Sequence, residues 1–101
     1  MLIFNTTYAV SAEDQACFLA WTREQMIPSI HADGALREGR LARILNHDDA
    51  DGYSFSVQFM VDNSEVLHKW YLRQGKDLQA QMNRIFAQRV VGFTTLMEVI
   101  E

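Results

Sequence analysis

Residues 53–61 have the sequence YSFSVQFMV, in which apolar and polar side chains alternate almost without interruption. Alternation with a period of two is typical of a β-strand with one buried face. The acidic stretch 48–52 (DDADG) precedes it, and short Asp side chains followed by Gly are typical of a turn. Residues 39–47 (GRLARILNH) have weaker strand character and lie before that turn. The pattern therefore predicts a β-hairpin in the middle of the chain.

One helix and one strand are predicted on each side of this hairpin. Residues 2–10 and 90–100 alternate like strands. Ser11 is the predicted N-cap of a helix over about residues 12–31, which Pro28 should end or kink and Gly34 should stop. Asp62 is the predicted N-cap of a second helix that runs to about residue 86, with a possible bend at Gly75.

The resulting order, βαββαβ, indicates an α+β protein of the ferredoxin-like class. Such a fold has a four-stranded antiparallel sheet with two helices on one face. With 101 residues the chain has room for a single domain over residues 1–101. Because both helices are needed on one side of the sheet, its other face is predicted to be open.

Net charge, cysteine content and hydropathy limit the partners and the cellular location that we expect for this protein. The net charge of −4 disfavours nucleic acid and anionic membranes as partners, because both attract clustered Lys and Arg. The single cysteine, Cys17, allows no internal disulfide, and the first residues resemble no signal peptide. No stretch is long and apolar enough for a transmembrane helix. We expect a cytoplasmic protein.

No metal and no cofactor is predicted. The acidic turn resembles a calcium loop, but Gln58 lies where the bidentate Glu must be, so a solvated turn is the better interpretation. His31, His47 and His68 fall on different predicted elements, without the spacing of a helical metal site. Cys17 lies among apolar residues about two turns into the first helix, where a small buried hydrophobe is commoner than a nucleophile.

The stretch 51–55 (DGYSF) partly matches the third-strand signature of RNA recognition motifs. The basic first residue of that signature is replaced by Asp51. Base stacking by Tyr53 and Phe55 on the open face would also force Ser54 and Ser56 into the core. The opposite phase buries the aromatic residues and is favoured by the free energy of apolar burial. We therefore expect the aromatic residues of this strand to face the helices, and no RNA binding.

With this phase, the open face carries a mixture of polar and apolar side chains. The strand over residues 39–47 stays ambiguous, since Arg and apolar residues occur on both of its parities. The other strands contribute Ser54, Ser56, Gln58 and Met60, then Ile3, Asn5, Thr7 and Ala9, and finally Thr94, Leu96 and Glu98.

Two interpretations of this face remain open. It is a small-molecule cleft with hydrogen-bonding groups, or a subunit interface whose polar residues are paired or hydrated. The interface is favoured, because an apolar sheet surface with no helix to cover it is commonly closed by a second copy of the chain. The candidate ligand-binding or interface residues are Asn5, Thr7, Arg43, Ser54, Ser56, Gln58 and Thr94.

Several short motifs in order along the chain resemble a small bacterial family known as a domain of unknown function, number four-two-eight-six. They are Ile3-Phe4-Asn5-Thr6-Thr7, Phe18-Leu19-Ala20-Trp21, Ile27-Pro28, Arg40-Leu41, Ser56-Val57-Gln58-Phe59 and Phe93-Thr94-Thr95-Leu96. The resemblance implies a dimeric α+β barrel, in which two ferredoxin-like sheets pack face to face. This chain has Thr94 where relatives tend to carry Arg, and the family brings no catalytic residues to carry over.

The sequence thus leaves two functional hypotheses. The first is a non-enzymatic homodimer that binds a small molecule or a protein partner on or near the open sheet face. The second is a cofactor-free enzyme of the dimeric α+β barrel kind, with a cleft between sheet and helices. The first is favoured, because the predicted open face offers mainly neutral Asn, Thr, Ser and Gln side chains rather than a perturbed acid, base or nucleophile.

Overall fold

A computed structural model describes residues 1–45 and 52–101 of the chain. The strands form one antiparallel sheet in the order β2-β3-β1-β4, with the helices on one face, which confirms the predicted ferredoxin-like α+β fold. In chain order the elements are β1 (Leu2–Val10), α1 (Gln15–Trp21), α2 (Ile27–Asp33), β2 (Arg37–Ile44), β3 (Tyr53–Val61), α3 (Ser64–Trp70), α4 (Lys76–Phe86) and β4 (Val91–Glu98).

Each pair of helices is joined by a π-helical turn rather than by a break. Thr22–Met26 joins α1 to α2, and Tyr71–Gly75 joins α3 to α4. Pro28 was expected to end or kink the first helix. It lies instead in the first turn of α2, directly after the π-helical turn. Proline has no amide hydrogen to donate, and the wider hydrogen-bond spacing of the π-helical turn accommodates it. Gly34 ends α2 with φ +91°, as predicted.

Both predicted helix caps are displaced. A turn occupies residues 12–14, so α1 begins at Gln15, and the Ser11 hydroxyl accepts the Asp14 amide at 3.3 Å within that turn. Cys17 therefore lies in the first turn of α1, where it is exposed, and the expectation that it is buried is wrong. At the start of α3 the cap is Asn63 rather than Asp62, since Asn63 Oδ1 accepts the amide of Val66 at 2.9 Å. Asp and Asn cap equally well, so their order alone did not show which of the two adjacent residues occupies the cap.

The predicted phase of β3 is confirmed. Phe55, Val57 and Phe59 face the helices and are only 2–3% exposed. Their register partners on β1 are Tyr8, Thr6 and Phe4, which puts these side chains on the same face. The core between sheet and helices is completed by Phe18, Met26, Ile30, Trp70, Leu78, Met82 and Phe86.

The predicted phase of β4 is wrong. Thr94 lies opposite Thr6 and Leu96 lies opposite Phe4, so Thr94, Leu96 and Glu98 share the face that carries the helices. The open face instead receives the other parity of this strand, which consists of Val91, Phe93, Thr95 and Met97. Apolar residues occur on both parities of β4, so the sequence pattern does not show which parity faces the helices. No residue of this edge strand is buried, and its apolar residues Val91, Phe93 and Met97 lie exposed on the open face.

Strand β2 spans residues 37–44 rather than 39–47, and its register resolves the ambiguity of its faces. Arg40 and Ala42 lie opposite Gln58 and Ser56 and share the open face with Ile44, whereas Leu41 and Arg43 face the helices.

The register shifts between Arg37 and Arg40, where the Gly39 amide donates to His31 Nε2 at 2.9 Å. His47 and residues 48–51 of the acidic turn, which is expected to be solvated rather than to bind calcium, lie outside the described residues.

Two Arg–Asp pairs connect the helical segments. Arg89, just after α4, donates twice to Asp14 at 2.9 and 3.0 Å, and Arg73 donates twice to Asp33, both at 2.7 Å. The pairs join the start of α1 to the end of α4, and the end of α2 to the turn before α4. Within residues 1–45 and 52–101, no helix has the length and apolar character needed to cross a membrane.

Candidate functional site

A cavity of about 210 Å³ lies between the sheet and the helices. Its floor is formed by the central strands and β4, and its roof by α2, α3, α4 and the second π turn. The lining residues are Phe4, Thr6, Tyr8, Met26, Ile30, Val57, Phe59, Trp70, Tyr71, Gly75, Leu78, Gln79, Met82, Asn83, Val90, Gly92 and Thr94.

The hydroxyl groups of the floor are neighbours across strands β1 and β4. Thr6 lies opposite Thr94, and Tyr8 lies opposite Gly92. The Tyr8 ring packs against Gly92 of β4. A Cβ atom at residue 92 would lie only 2.8 Å from two carbons of that ring, so the close approach requires glycine. Glycine at this position therefore leaves room for the Tyr8 side chain, whose phenol is hydrogen-bonded to Thr6.

Burial raises the pKa of the Tyr8 phenol above its ordinary value of 10.0, and a hydrogen bond with Thr6 opposes this rise. The phenol is therefore protonated throughout the neutral range. It offers one donor and an acceptor oxygen to the cavity, as the Thr6 and Thr94 hydroxyls do.

The roof holds the Trp70 indole in a fixed orientation. Trp70 Nε1 donates to Gln74 Oε1 at 2.7 Å, and Gln74 Nε2 donates to the Ser29 carbonyl at 2.9 Å. The indole meets Phe4 edge-on, with ring centroids 5.8 Å apart. At Gly75, a Cβ atom would lie 2.7 Å from the indole ring, so glycine provides the room for it.

The burial of the lining residues shows how the cavity is oriented. Its deep end is hydrocarbon, since Met26, Val57 and Phe59 are at most 5% exposed. Thr94 on β4 and Gln79 and Asn83 on α4 are exposed. The cavity thus has an apolar interior and a polar mouth between β4 and α4.

The open sheet face has a hydrogen-bonded polar centre. Ser56 Oγ donates to Asn5 Oδ1 at 2.5 Å, and Asn5 Nδ2 donates to Thr7 Oγ1 at 3.2 Å. Gln58 lies directly opposite Asn5 in the register. Asn5 is only 8% exposed although no element covers this face within the described chain. These side chains thus satisfy part of one another's hydrogen-bonding capacity within the single chain.

Apolar side chains surround this polar centre. Val91 and Phe93 on β4 are each 64% exposed, and Met97 is 37% exposed. At the opposite edge of the sheet Ile44 is 38% exposed. The register places Ile3 and Met60 on the same face. The open face is therefore an apolar surface with a polar centre, and this feature suits the packing of a second sheet.

The candidate residues from the sequence separate into two groups. Asn5, Thr7, Ser56 and Gln58 come together at the polar centre of the open face, and Ser54 lies one cross-strand pair away, opposite Ala9. Their roles in binding or assembly stay predictions.

Arg43 and Thr94 do not join that group. The Arg43 guanidinium lies 4.6 Å from the centroid of the Tyr53 ring on the helix-facing side. Its cation–π contact accounts for its position in β2. Thr94 lines the mouth of the cavity.

Sequence reasoning missed the cavity residues Thr6, Tyr8, Gln79 and Asn83. A weak signal was present in β1, where the polar Thr6 shares the parity of the apolar Phe4 and Tyr8. On α4, Gln79 and Asn83 are four residues apart and thus on one helix face. Within residues 1–45 and 52–101, no three side chains of His, Cys, Asp or Glu come together as a metal site.

Comparison with known proteins gives a family. Residues 1–100 match the family described as Domain of unknown function (DUF4286), and the chain belongs to this family. No curated protein matches the chain.

Solved structures show the same fold at low sequence identity. An ethyl tert-butyl ether d (EthD) family protein from Bacillus halodurans superimposes with a TM-score of 0.71 at 15% identity, over 99% of this chain and 100% of that one. A candidate antibiotic biosynthesis monooxygenase from Deinococcus radiodurans gives 0.68 at 18% identity, over 100% and 94%. A dimeric ferredoxin-like protein from an uncultured marine organism gives 0.67 at 9% identity, over 100% and 96%.

Proposed function

We propose that this member of the DUF4286 family is a homodimer, joined through its open sheet faces, that binds a small molecule in the cavity between sheet and helices. The exposed apolar residues of the open face support the dimer. Soluble monomers rarely expose a contiguous apolar patch of this kind, and a twofold pairing of identical faces is the commonest way to cover one. The dimeric state of the marine ferredoxin-like protein supports this assembly.

The polar centre is compatible with burial in such an interface. Ser56, Asn5 and Thr7 already satisfy part of one another's hydrogen-bonding capacity, which lowers the cost of removing them from water. Phe93 and Val91 would supply the largest gain, since each is 64% exposed in the single chain.

The cavity is the observation that carries the ligand-binding part of the proposal. A dimer that covers the open face leaves the cavity on the opposite side of each sheet, where its mouth between β4 and α4 is accessible. An apolar interior with a few polar groups at one end is typical of small-molecule sites. An engineered apolar cavity of about 150 Å³ holds benzene. The volume of about 210 Å³ thus suits a molecule of one or two rings.

Binding is favoured over catalysis by the chemistry of the lining. Its polar groups are hydroxyls and amides, which orient a ligand by hydrogen bonds. The ionisable groups among the lining residues are the phenols of Tyr8 and Tyr71, and burial shifts Tyr8 away from the neutral range in which acid–base catalysts operate best.

Calorimetric titration of the dimer with 1-naphthol tests the ligand-binding proposal, since this two-ring molecule suits the cavity in size. Asn83→Trp should close the mouth and abolish the heat of binding, because Asn83 is an exposed lining residue whose replacement leaves the core intact. Arg84→Trp is the matched control, since Arg84 is also exposed on the same helix and does not line the cavity. Equal binding by the two folded variants would contradict the assignment of the site.

A further inference from the structure

The side chains that line the cavity share one property that bears on its ligand. All of them are hydrocarbon, aromatic, hydroxyl, thioether or amide groups, which carry no charge at neutral pH. The Tyr8 phenol keeps its proton there, since burial raises its pKa. A charged group moved from water into such surroundings would lose its hydration without gaining an opposite charge.

Apart from the Tyr71 phenol of the second π turn, the polar groups lie in one part of the lining. Thr6, Tyr8 and Thr94 are neighbours on the floor beside β4. Gln79 and Asn83 are exposed on the adjacent helix face, across the mouth. The deep residues Met26, Ile30 and Val57 offer only apolar contact. A ligand that satisfies both regions has an apolar body with a polar group at one end.

Hydroxyl groups can donate and accept hydrogen bonds, so the floor accommodates a ligand hydroxyl as well as a ligand carbonyl. We infer that the cavity selects uncharged molecules of one or two rings that carry a hydroxyl or carbonyl oxygen, directed at Thr6, Tyr8 and Thr94. This inference rests on the proposed function. It adds a ligand class that is set by the neutrality of the lining and by the position of its hydroxyl groups.

Three probes of similar shape separate these contributions: 1-naphthol, naphthalene and 1-naphthoate. Their binding is measured by Trp70 fluorescence in a Trp21→Phe background, because Trp70 lines the cavity and Trp21 does not. At neutral pH, 1-naphthol should bind more than about tenfold more tightly than the 1-naphthoate anion. It should bind roughly three- to tenfold more tightly than naphthalene, as expected for one net hydrogen bond.

Two adjacent threonines provide a matched pair of variants. Thr94→Val removes a hydroxyl from the mouth and should reduce the preference for 1-naphthol over naphthalene, with naphthalene binding unchanged. Thr95→Val removes a hydroxyl from the open face, where Thr95 lies opposite Asn5, and should leave both affinities unchanged.

The outcomes distinguish this inference from the proposed function. Binding of 1-naphthoate as tight as that of 1-naphthol, or equal effects of the two threonine variants, would overturn the inference and leave the binding cavity in place. Failure of all three probes to bind the folded dimer would overturn the ligand-binding proposal, and the inference with it.

Discussion

Phe93 of β4 lies directly opposite Thr7 of β1, so a largely exposed aromatic ring and a hydrogen-bonded hydroxyl share the sheet face that carries no helix. The ring is 64% exposed, while the Thr7 hydroxyl accepts a hydrogen bond from Asn5. The two residues represent the two parts of this face: an apolar surround that gains from burial and a polar centre that is already paired. A second copy of the sheet would bury the first without leaving the second unsatisfied.

The two faces of β3 should respond differently to truncation. Phe55→Ala should destabilise the protein by about 3–5 kcal/mol, since Phe55 is 2% exposed and contacts the Phe18 ring at 5.6 Å between centroids. Ser56→Ala should cost about 1 kcal/mol, because it removes one hydrogen bond to Asn5. Urea unfolding of both variants, at equal protein concentration, measures the difference. The reverse order of the two losses would show that the sheet faces are assigned wrongly.

Gly75→Ala should destabilise the protein although alanine favours helix. At an open helical position this change adds up to about 1 kcal/mol of stability. Here the new Cβ atom would lie 2.7 Å from the Trp70 indole, and overpacking of that kind costs about 1–3 kcal/mol. Urea unfolding together with the near-ultraviolet circular dichroism of Trp70 measures the effect. A stabilised variant with an unchanged Trp70 signal would disprove the close approach.

The Arg73–Asp33 pair should make stability depend on pH in a defined direction. A hydrogen bond from Arg73 is the main cause that holds the pKa of Asp33 below its ordinary value of 3.8. The folded state therefore binds this proton less tightly than the unfolded state does. The contribution of the pair is complete above about pH 5 and is lost progressively as the pH falls through the lowered pKa.

Asp33→Asn tests this direction, because it keeps an oxygen that can accept the Ala35 amide while removing the charge. Its urea midpoint should lie below that of the wild type at pH 7, and the gap should close as the pH is lowered toward about 3. Glu24→Gln, at an exposed position, serves as the control and should show little change at either pH. A gap that widens in acid would contradict the pair's role.

The fold was predictable because the segment with the clearest alternation of apolar and polar residues also forms a central strand of the sheet. The alternation of residues 53–61 indicated the buried face of the central strand, and its partner β1 follows the same rule. The phase of β4 was not predictable in this way. Phe93 and Leu96 lie on opposite parities of an edge strand without a buried side, so periodicity gave no basis for assigning either to the core.

The polar centre of the open face could be predicted from the sequence pattern, whereas the cavity could not. Asn5, Thr7 and Ser56 could be grouped from strand parity alone, since the polar residues of both strands share that parity. The cavity depends on Thr6 meeting Thr94 across a register that the sequence does not contain. It also depends on Gly75 and Gly92, whose missing side chains make room for Trp70 and Tyr8. Such contacts emerge only when the strands and helices are assembled.

Sheet-to-sheet dimerisation requires that charges on the open face weaken association far more than a charge on the helices does. Phe93→Glu and Met60→Glu place a carboxylate on the open face, whereas Lys69→Glu changes an exposed residue of α3. Burial of an unpaired carboxylate against apolar side chains is strongly unfavourable. The first two variants should therefore be largely monomeric at micromolar concentration, and the third should remain dimeric.

Light scattering of the wild-type protein during size-exclusion chromatography is the most direct measurement of this claim. The proposed homodimer predicts a mass about twice the 11.6 kDa of the single chain, and a return to the single-chain mass in Phe93→Glu. A wild-type mass near 11.6 kDa at micromolar concentration, or a Phe93→Glu variant that keeps the doubled mass, would contradict it.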